Sequence, residues 1–313
     1  MAALRGAFPA SCTGVHAGTH RAKPRVNPHS SDAPLMKTNT SAARLSAALA
    51  MLTVAASVAA QTTAPAASGP QAASAAAAEP EPSPFTANIS LTTKYKFRGQ
   101  DQGNTRWFSP ALQGGFDWSS NGFYLGNWNS NVSFTNVNLE MDFYGGYKGE
   151  LSPGLGYDVG VLYYHYPQQN RSVDFDVTEL YGALSWQWLT VKYSHTVSKD
   201  YFGIGALGEQ AGLGFRPSGR NTGYIEANAN LPLVDKLTLN AHLGYTRFSS
   251  DLRNARTLTV DTSVPNYYDY KLGVTYDVGS GFTTAAAIAG ANKRGFYGDI
   301  NKPRLILTVS KSL

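Results

Sequence analysis

Polar and apolar residues alternate without interruption over thirteen positions, from Thr86 to Arg98. A period of two residues predicts a β-strand with one apolar face and one polar face. The apolar row ends in Tyr95 and Phe97, as in a strand that reaches a lipid–water interface. The stretch therefore favours a membrane-spanning strand. An edge strand of a soluble β-sandwich is the alternative.

Segments of the same kind recur to the end of the chain and bring the number of predicted strands to twelve. No stretch after residue 60 offers about 18 continuous apolar residues, so the pattern predicts no membrane-spanning helix. The last strand carries an apolar row that runs to Leu313. The strands after the first are predicted at 111–118, 123–131, 137–148, 155–166, 175–186, 189–198, 223–231, 237–248, 267–278, 282–290 and 304–313.

The connections between these strands alternate in length. Short turns are predicted at 119–122, 149–154, 187–188, 232–236 and 279–281, and longer loops at 99–110, 132–136, 167–174, 199–222, 249–266 and 291–303. This asymmetry is typical of outer-membrane barrels, and closure removes the free strand edges that lipid cannot satisfy. Residues 85–313 are therefore predicted to form an all-β, transmembrane up-and-down antiparallel β-barrel of about 12 strands.

The front of the chain reads as a leader and a linker. Residues 36–60 combine basic, apolar and small-residue parts, which predicts a secretory signal peptide cleaved after Ala60. Residues 1–35 are read as a non-native upstream extension, or alternatively as an organelle transit peptide. Residues 61–84, rich in Ala and Pro, cannot bury a core and are predicted to be a disordered linker. The predicted location is the outer membrane of a Gram-negative bacterium.

Charge and cysteine content exclude several classes of protein. The formal charge of +5 arises in residues 1–60, which hold six basic residues and one acidic residue. The rest holds 26 − 6 = 20 basic and 21 − 1 = 20 acidic residues, a net charge of zero that predicts no nucleic-acid partner. The one cysteine, Cys12, lies in the leader, which excludes disulfides and thiolate metal sites after it.

Several stretches of the predicted barrel resemble the TorF-type putative porin family of Gram-negative bacteria. They lie at 94–99, 110–117, 122–128, 139–147, 178–181 and 307–313, so that the resemblance covers about residues 85–313. It implies an outer-membrane β-barrel inserted by the outer-membrane assembly machinery, and it suggests passive permeation of solutes. It supplies no catalytic residues and no known solute.

Charged residues lie on the polar rows, which face the lumen if the apolar rows face lipid. As pore-lining residues they would set ion preference, whereas the alternative is a salt-bridged network that fills the lumen. About 8 strands leave a filled interior and about 16–18 an aqueous channel, so twelve strands leave both possibilities open. Similarly, the 199–221 loop is either a constriction that folds inward or, as the sequence favours, a flexible surface loop. The candidate pore-lining residues are Lys94, Lys96, Arg98, Glu140, Asp142, Asp158, Glu179, Lys192, Glu226 and Lys271.

The sequence thus predicts a porin-like channel for passive diffusion of small polar solutes or ions. A non-conducting barrel with a structural or surface-interaction role is the alternative, and a membrane-embedded hydrolase is a third. Ser194 and His195 are adjacent and therefore face opposite sides of a strand, so no nucleophile–base pair and no enzyme are predicted. The dispersed histidines give no metal-ligand spacing, and no cofactor is predicted. The predicted partners are outer-membrane lipid, small solutes or ions and, as a possibility, further copies of the chain.

Overall fold

The structure is a computed structural model that describes residues 83–134, 137–167 and 173–313. The predictions made for residues 1–82, including the signal peptide and nearly all of the linker, lie outside the described residues. Within the described ranges, no helix is long and apolar enough to cross a membrane.

Twelve antiparallel strands close into a barrel, as the alternation predicts. Each strand pairs with its neighbours in the chain, and β1 pairs with both β4 and the last strand, which completes the circle. Two further short strands, β2 and β3, pair only with each other. The strands are β1 Phe85–Thr92, β2 Lys96–Phe97, β3 Gln100–Asp101, β4 Ala111–Ser120, β5 Phe123–Phe134, β6 Val137–Ser152, β7 Leu155–His165, β8 Val177–Trp186, β9 Leu189–Thr196, β10 Gly223–Val234, β11 Leu237–Arg247, β12 Tyr267–Gly279, β13 Phe282–Ala291 and β14 Arg304–Ser312.

One end of the barrel, here called the turn end, carries two-residue turns. They lie at 121–122, 153–154, 187–188, 235–236 and 280–281. Asn121 and Gly122 both have positive φ, of 51° and 85°, which is the backbone of a type I′ hairpin turn. The predicted short connections are therefore confirmed, and they are tighter than predicted because the strands extend further.

The opposite end, here called the loop end, carries the long connections at 93–110, 166–176, 197–222, 248–266 and 292–303. The predicted loop 132–136 is wrong, because β5 and β6 remain paired up to Phe134 and Val137. The connections 197–222, 248–266 and 292–303 contain short helical segments: α1 Ile204–Gly208, a π-helical turn Glu209–Leu213, α2 Ser250–Arg253, α3 Arg294–Tyr297 and a 3-10 turn Gly298–Asn301.

The outer face of the barrel is apolar and the inner face is polar. On β10, Ile225 is 48% exposed on the outside while its neighbour Glu226 is 6% exposed on the inside. Exposed aromatic side chains border the apolar band at the turn end and at the loop end, as expected for a barrel in a bilayer. They include Phe85, Phe123, Trp186, Trp188, Tyr276 and Phe282 at the turn end, and Tyr163, Tyr193 and Tyr268 at the loop end.

A charge placed in the middle of this outer band tests its position in the membrane. Leu272 lies near the middle of β12 and is 57% exposed, whereas Leu233 lies at the turn end of β10 and is 51% exposed. Leu272→Arg should lower the free energy of unfolding in liposomes by about 2–4 kcal/mol, and Leu233→Arg by about 0–1 kcal/mol. Denaturant titration of both variants measures the difference. Equal costs at the two depths would contradict the assignment of this face to lipid.

Candidate functional site

The chain leaves the barrel wall after Thr92 and enters the lumen as a hairpin. Residues 93–110, here called the lumen hairpin, include β2 and β3, whose pairing joins Lys96 to Asp101. The predicted first strand, 86–98, is therefore wrong beyond Thr92. Tyr95 and Phe97 do not reach the lipid interface. They belong to a buried cluster inside the barrel.

The tip of the lumen hairpin lies against the barrel wall at β12 and β13. Arg98 and Gly99 form the turn with φ of 45° and 74°. A Cβ on Gly99 would lie 2.5 Å from the Asp269 Cβ and 2.6 Å from the Gly290 carbonyl oxygen. Glycine is therefore required at this position by both the backbone conformation and the close approach to β12 and β13.

Arg98 anchors the hairpin tip to the wall through a buried two-point ion pair. Its Nη1 donates to Glu179 Oε1 at 3.0 Å, and its Nη2 donates to Glu179 Oε2 at 2.7 Å. The Tyr201 hydroxyl accepts a further hydrogen bond from Nη1 at 2.9 Å. The guanidinium also lies 4.7 Å from the ring centroid of Phe97 and 4.2 Å from that of Tyr224. Such a planar, bidentate arrangement fits arginine and not lysine.

A second cluster anchors the base of the hairpin around one carboxylate. Asp101 lies 3.3 Å from Lys94 Nζ, 2.9 Å from Lys96 Nζ and 3.3 Å from Arg304 Nη2. Backbone carbonyls supply the other partners, and Lys96, for example, donates to the carbonyl oxygens of Gly99 and Ile300. Burial lowers the pKa of Lys96 to about 8, although the Asp101 carboxylate acts in the opposite direction.

The acidic side of the lumen is the side lined by β6 and β8. Glu140 is buried and accepts hydrogen bonds from the hydroxyls of Tyr95 at 2.7 Å and Tyr166 at 2.9 Å. Asp142 follows it on the same inward row and is also buried. Glu140 thus joins the hairpin to β6 through Tyr95, as Glu179 joins it to β8 through Arg98.

Aromatic side chains from the loops complete the closure of the loop end. Phe97 and Phe202 lie edge to face with ring centroids 5.4 Å apart, and Tyr201 and Phe202 do so at 4.7 Å. Ala206 and Leu213, further along the same loop, are also buried. The 199–221 loop therefore folds inward against the hairpin, and the prediction of a flexible surface loop is wrong.

Between the hairpin and the turn end, the lumen is lined by polar side chains that remain partly accessible. Asp158, Lys192 and Lys271 are half-buried, whereas Glu226 is buried. Tyr124 donates to Asp158 at 2.5 Å, and the Lys192 ammonium lies 4.0 Å from the ring centroid of Tyr181. All ten sequence-predicted residues thus lie inside the barrel, six of them on the wall of this lower lumen or in the acidic row above it. The other four, Lys94, Lys96, Arg98 and Glu179, hold the hairpin.

Sequence reasoning missed several charged or titratable residues of the lumen, among them Asp101, His242, Asp269 and Arg304. His242 Nε2 is hydrogen-bonded to Asp269 Oδ1 at 2.8 Å, and its Nδ1 lies 3.5 Å from a Glu226 carboxylate oxygen. The strand phase alone could have placed His242 and Asp269, because both occupy inward rows. Asp101 gave no such signal, since it lies in a stretch that reads as a loop.

The residues considered for hydrolysis face opposite sides of the wall, as predicted. Ser194 is buried inside the barrel, whereas His195 lies outside. His195 is hydrogen-bonded to the Tyr193 hydroxyl at 3.1 Å and to Asn221 Oδ1 at 3.2 Å. In the part of the chain that the structure describes, no group of three or more His, Cys, Asp or Glu side chains is arranged to hold a metal ion.

A family model described as "Bacterial protein of unknown function (Gcw_chp)" matches residues 75–312. No curated protein matches the chain. Among solved structures, the KdgM porin in complex with disordered oligogalacturonate is similar at 9% identity over 73% of this chain and 99% of its own, with a TM-score of 0.45. The NanC porin is similar at 10% identity over 73% and 97%, with a TM-score of 0.42. OprD from Pseudomonas aeruginosa is similar at 13% identity over 74% and 66%, with a TM-score of 0.35.

Proposed function

Because the chain belongs to the Gcw_chp family of bacterial proteins of unknown function, we propose a function from its own geometry. The protein is a porin-like channel of the outer membrane, through which small polar solutes or ions diffuse passively. The turn end faces the periplasm and the loop end faces outward, as in barrels with short turns on one side. The resemblance of residues 85–313 to TorF-type porins agrees with this proposal.

One observation supports the channel most directly: the polar, partly accessible lumen below the lumen hairpin. Asp158, Lys192 and Lys271 are half-buried although they point into a twelve-stranded barrel. A lumen filled by side chains would bury all three. Charged groups without an ion-pair partner are costly in a dry interior. The part of the lumen between the hairpin and the turn end is therefore expected to hold water.

The mechanism follows from the two parts of the lumen. The lower lumen presents both signs of charge, and solutes reach it by diffusion. The lumen hairpin narrows the path at the loop end, where a solute must pass between the hairpin and the wall. In this proposal Glu140, Asp142, Asp158, Lys192, Glu226 and Lys271 line the path, whereas Lys94, Lys96, Arg98 and Glu179 fix the hairpin that constricts it.

Single-channel recording in planar bilayers tests the proposal with a matched pair of substitutions. Ala183 faces the lumen on β8, opposite Lys192, and Ala229 faces outward on β10, opposite Leu189. The natural protein should give discrete conductance steps, and Ala183→Trp should reduce them because the indole occupies part of the lumen. Ala229→Trp adds the same side chain on the lipid side and should leave the conductance unchanged.

Correct folding of each variant is checked beforehand by its resistance to proteolysis in liposomes. A folded natural barrel that never conducts would overturn the proposal and leave a non-conducting barrel. Equal effects of Ala183→Trp and Ala229→Trp would show that current does not pass through the lumen.

A further inference from the structure

A small cavity lies between the lumen hairpin and the part of the barrel wall formed by β4, β1, β14, β13 and β12. Its volume is about 60 Å³, and it is open on one side. A cavity of this size holds several water molecules or one small anion. The side chains that line it include Lys94, Lys96, Lys271, Ala287 and Ala289.

The cavity exists because the wall beside it is built from small residues. The inward row of β13 consists of alanines, of which Ala287 and Ala289 line the cavity. On β12 the corresponding inward position is Gly273, where an added Cβ would lie 2.6 Å from the Ala287 Cβ. Larger side chains in these rows would fill the space between the wall and the hairpin.

Positive charge exceeds negative charge around this cavity. Lys94, Lys96 and Arg304 share the single carboxylate of Asp101, which leaves 3 − 1 = 2 positive charges in that cluster. Lys271 adds a further ammonium group on the other side. Among the described residues no carboxylate lies within ion-pair distance of it. Cations removed from water without carboxylate partners are costly, and a bound anion would reduce that cost.

Most negative charges of the lumen have other partners. Glu140 accepts hydrogen bonds from two tyrosine hydroxyls, and Glu179 is paired with Arg98, both on the β6–β8 side of the hairpin. Glu226 and Asp269 act electrostatically on Lys271, but both also contact His242. Four cationic side chains around the cavity (Lys94, Lys96, Lys271 and Arg304) therefore face three carboxylates (Asp101, Glu226 and Asp269), which leaves an excess of positive charge.

We propose that this basic cavity is a binding site for a small anion, of a size between chloride and phosphate, on the permeation path. The proposal rests on the proposed channel function and specifies its solute class. Anions that pass between the hairpin and β13 meet Lys271 first from the turn end and then Lys96. Residues 85–313 hold 20 basic and 18 acidic residues, a net charge of 20 − 18 = +2. The uneven distribution of these charges makes the narrow part of the path prefer anions.

Reversal potentials in a KCl gradient test the selectivity. The natural protein should be more permeable to chloride than to potassium. Lys271→Ala should lower the chloride-to-potassium permeability ratio severalfold, and Lys271→Glu should lower it further. Lys311→Ala is the matched control, because it also removes one lysine but lies at the turn end on the outer face, where Lys311 donates to the Ser280 carbonyl oxygen. It should leave the permeability ratio unchanged. A natural channel without anion preference, or equal effects of Lys271→Ala and Lys311→Ala, would overturn the anion site while leaving the channel function intact.

Bromide binding in crystals provides a readout that does not depend on conduction. Anomalous scattering from crystals grown in sodium bromide should show bromide in the cavity of the natural protein and none there in Lys271→Ala. If the barrel never conducts, the channel function fails, and the bromide positions alone then decide on the anion site. If bromide is found only at other places on the barrel, it is an adventitious ion only, and this result would overturn the anion site.

Discussion

Replacing residues 94–109 by a short Gly-Ser linker should raise the single-channel conductance severalfold. The lumen hairpin fills the loop end through Tyr95 and Phe97, which pack into the buried aromatic cluster. Thr92 and Ala111 are direct partners in the β1–β4 register, so the chain ends left by the deletion lie at neighbouring positions and a short linker can join them. The barrel wall itself is not changed. Conductance steps in planar bilayers measure the effect. In a second assay, neutral sugars that are too large to pass the natural protein should enter proteoliposomes that contain the deletion variant.

A loop deletion outside the lumen serves as the control. Residues 257–260 form the tip of the 248–266 connection, where Leu258 is fully exposed. Replacing this tip by two glycines should leave the conductance unchanged. A folded hairpin deletion with the conductance of the natural protein would contradict the role of the hairpin as the constriction.

Arg98→Ala should lower the free energy of unfolding by about 3–5 kcal/mol, because it leaves the buried Glu179 carboxylate without its partner. Both side chains of the pair are at most 4% exposed. Arg98→Lys should recover only part of the loss, since an ammonium group cannot donate to both carboxylate oxygens in the same plane. Denaturant titration of the barrel in liposomes measures all three proteins.

The double-mutant cycle with Glu179→Ala separates the pair from the general loss of packing. Because Arg98→Ala/Glu179→Ala leaves no unpaired buried charge, it should be more stable than Arg98→Ala alone. Additive losses would show that the two groups do not interact. As an external control, Arg216→Ala removes an arginine whose ion pair with Glu209 is partly exposed, and it should cost about 0–1 kcal/mol.

The barrel could be predicted from the sequence because its rules are local. An outward apolar row and an inward polar row fix the phase of each strand, and turns such as Asn121-Gly122 fix where strands end. The first strand shows the limit of this approach. The stretch from Thr93 to Arg98 keeps the alternation of a wall strand, but its aromatic residues pack inside the lumen and not against lipid. Both environments accept an apolar row, so the period alone cannot distinguish them.

The functional site was harder to predict from the sequence, because it depends on contacts across the barrel. Strand phase places Glu179 in the lumen, but only the three-dimensional structure shows that Arg98, 81 positions away in the chain, reaches it. Arg304 and Asp101 are 203 positions apart, and neither was singled out. The inward fold of the 199–221 loop likewise depends on the hairpin that receives Tyr201 and Phe202. Without knowledge of the hairpin, the sequence of the 199–221 loop shows only glycines and scattered aromatic residues.

The contact between Asp101 and Arg304 also links closure of the barrel wall to the anchoring of the lumen hairpin. Arg304 is the first residue of β14, and this strand completes the wall by pairing with β1, which leads directly into the lumen hairpin. Until β14 pairs with β1, Asp101 lacks its arginine partner, and the hairpin is held mainly through Glu140 and Glu179. An unfinished barrel would therefore be open at the side and would hold its hairpin less firmly. Pairing of β14 with β1 would close the wall and complete the anchoring of the hairpin in one step.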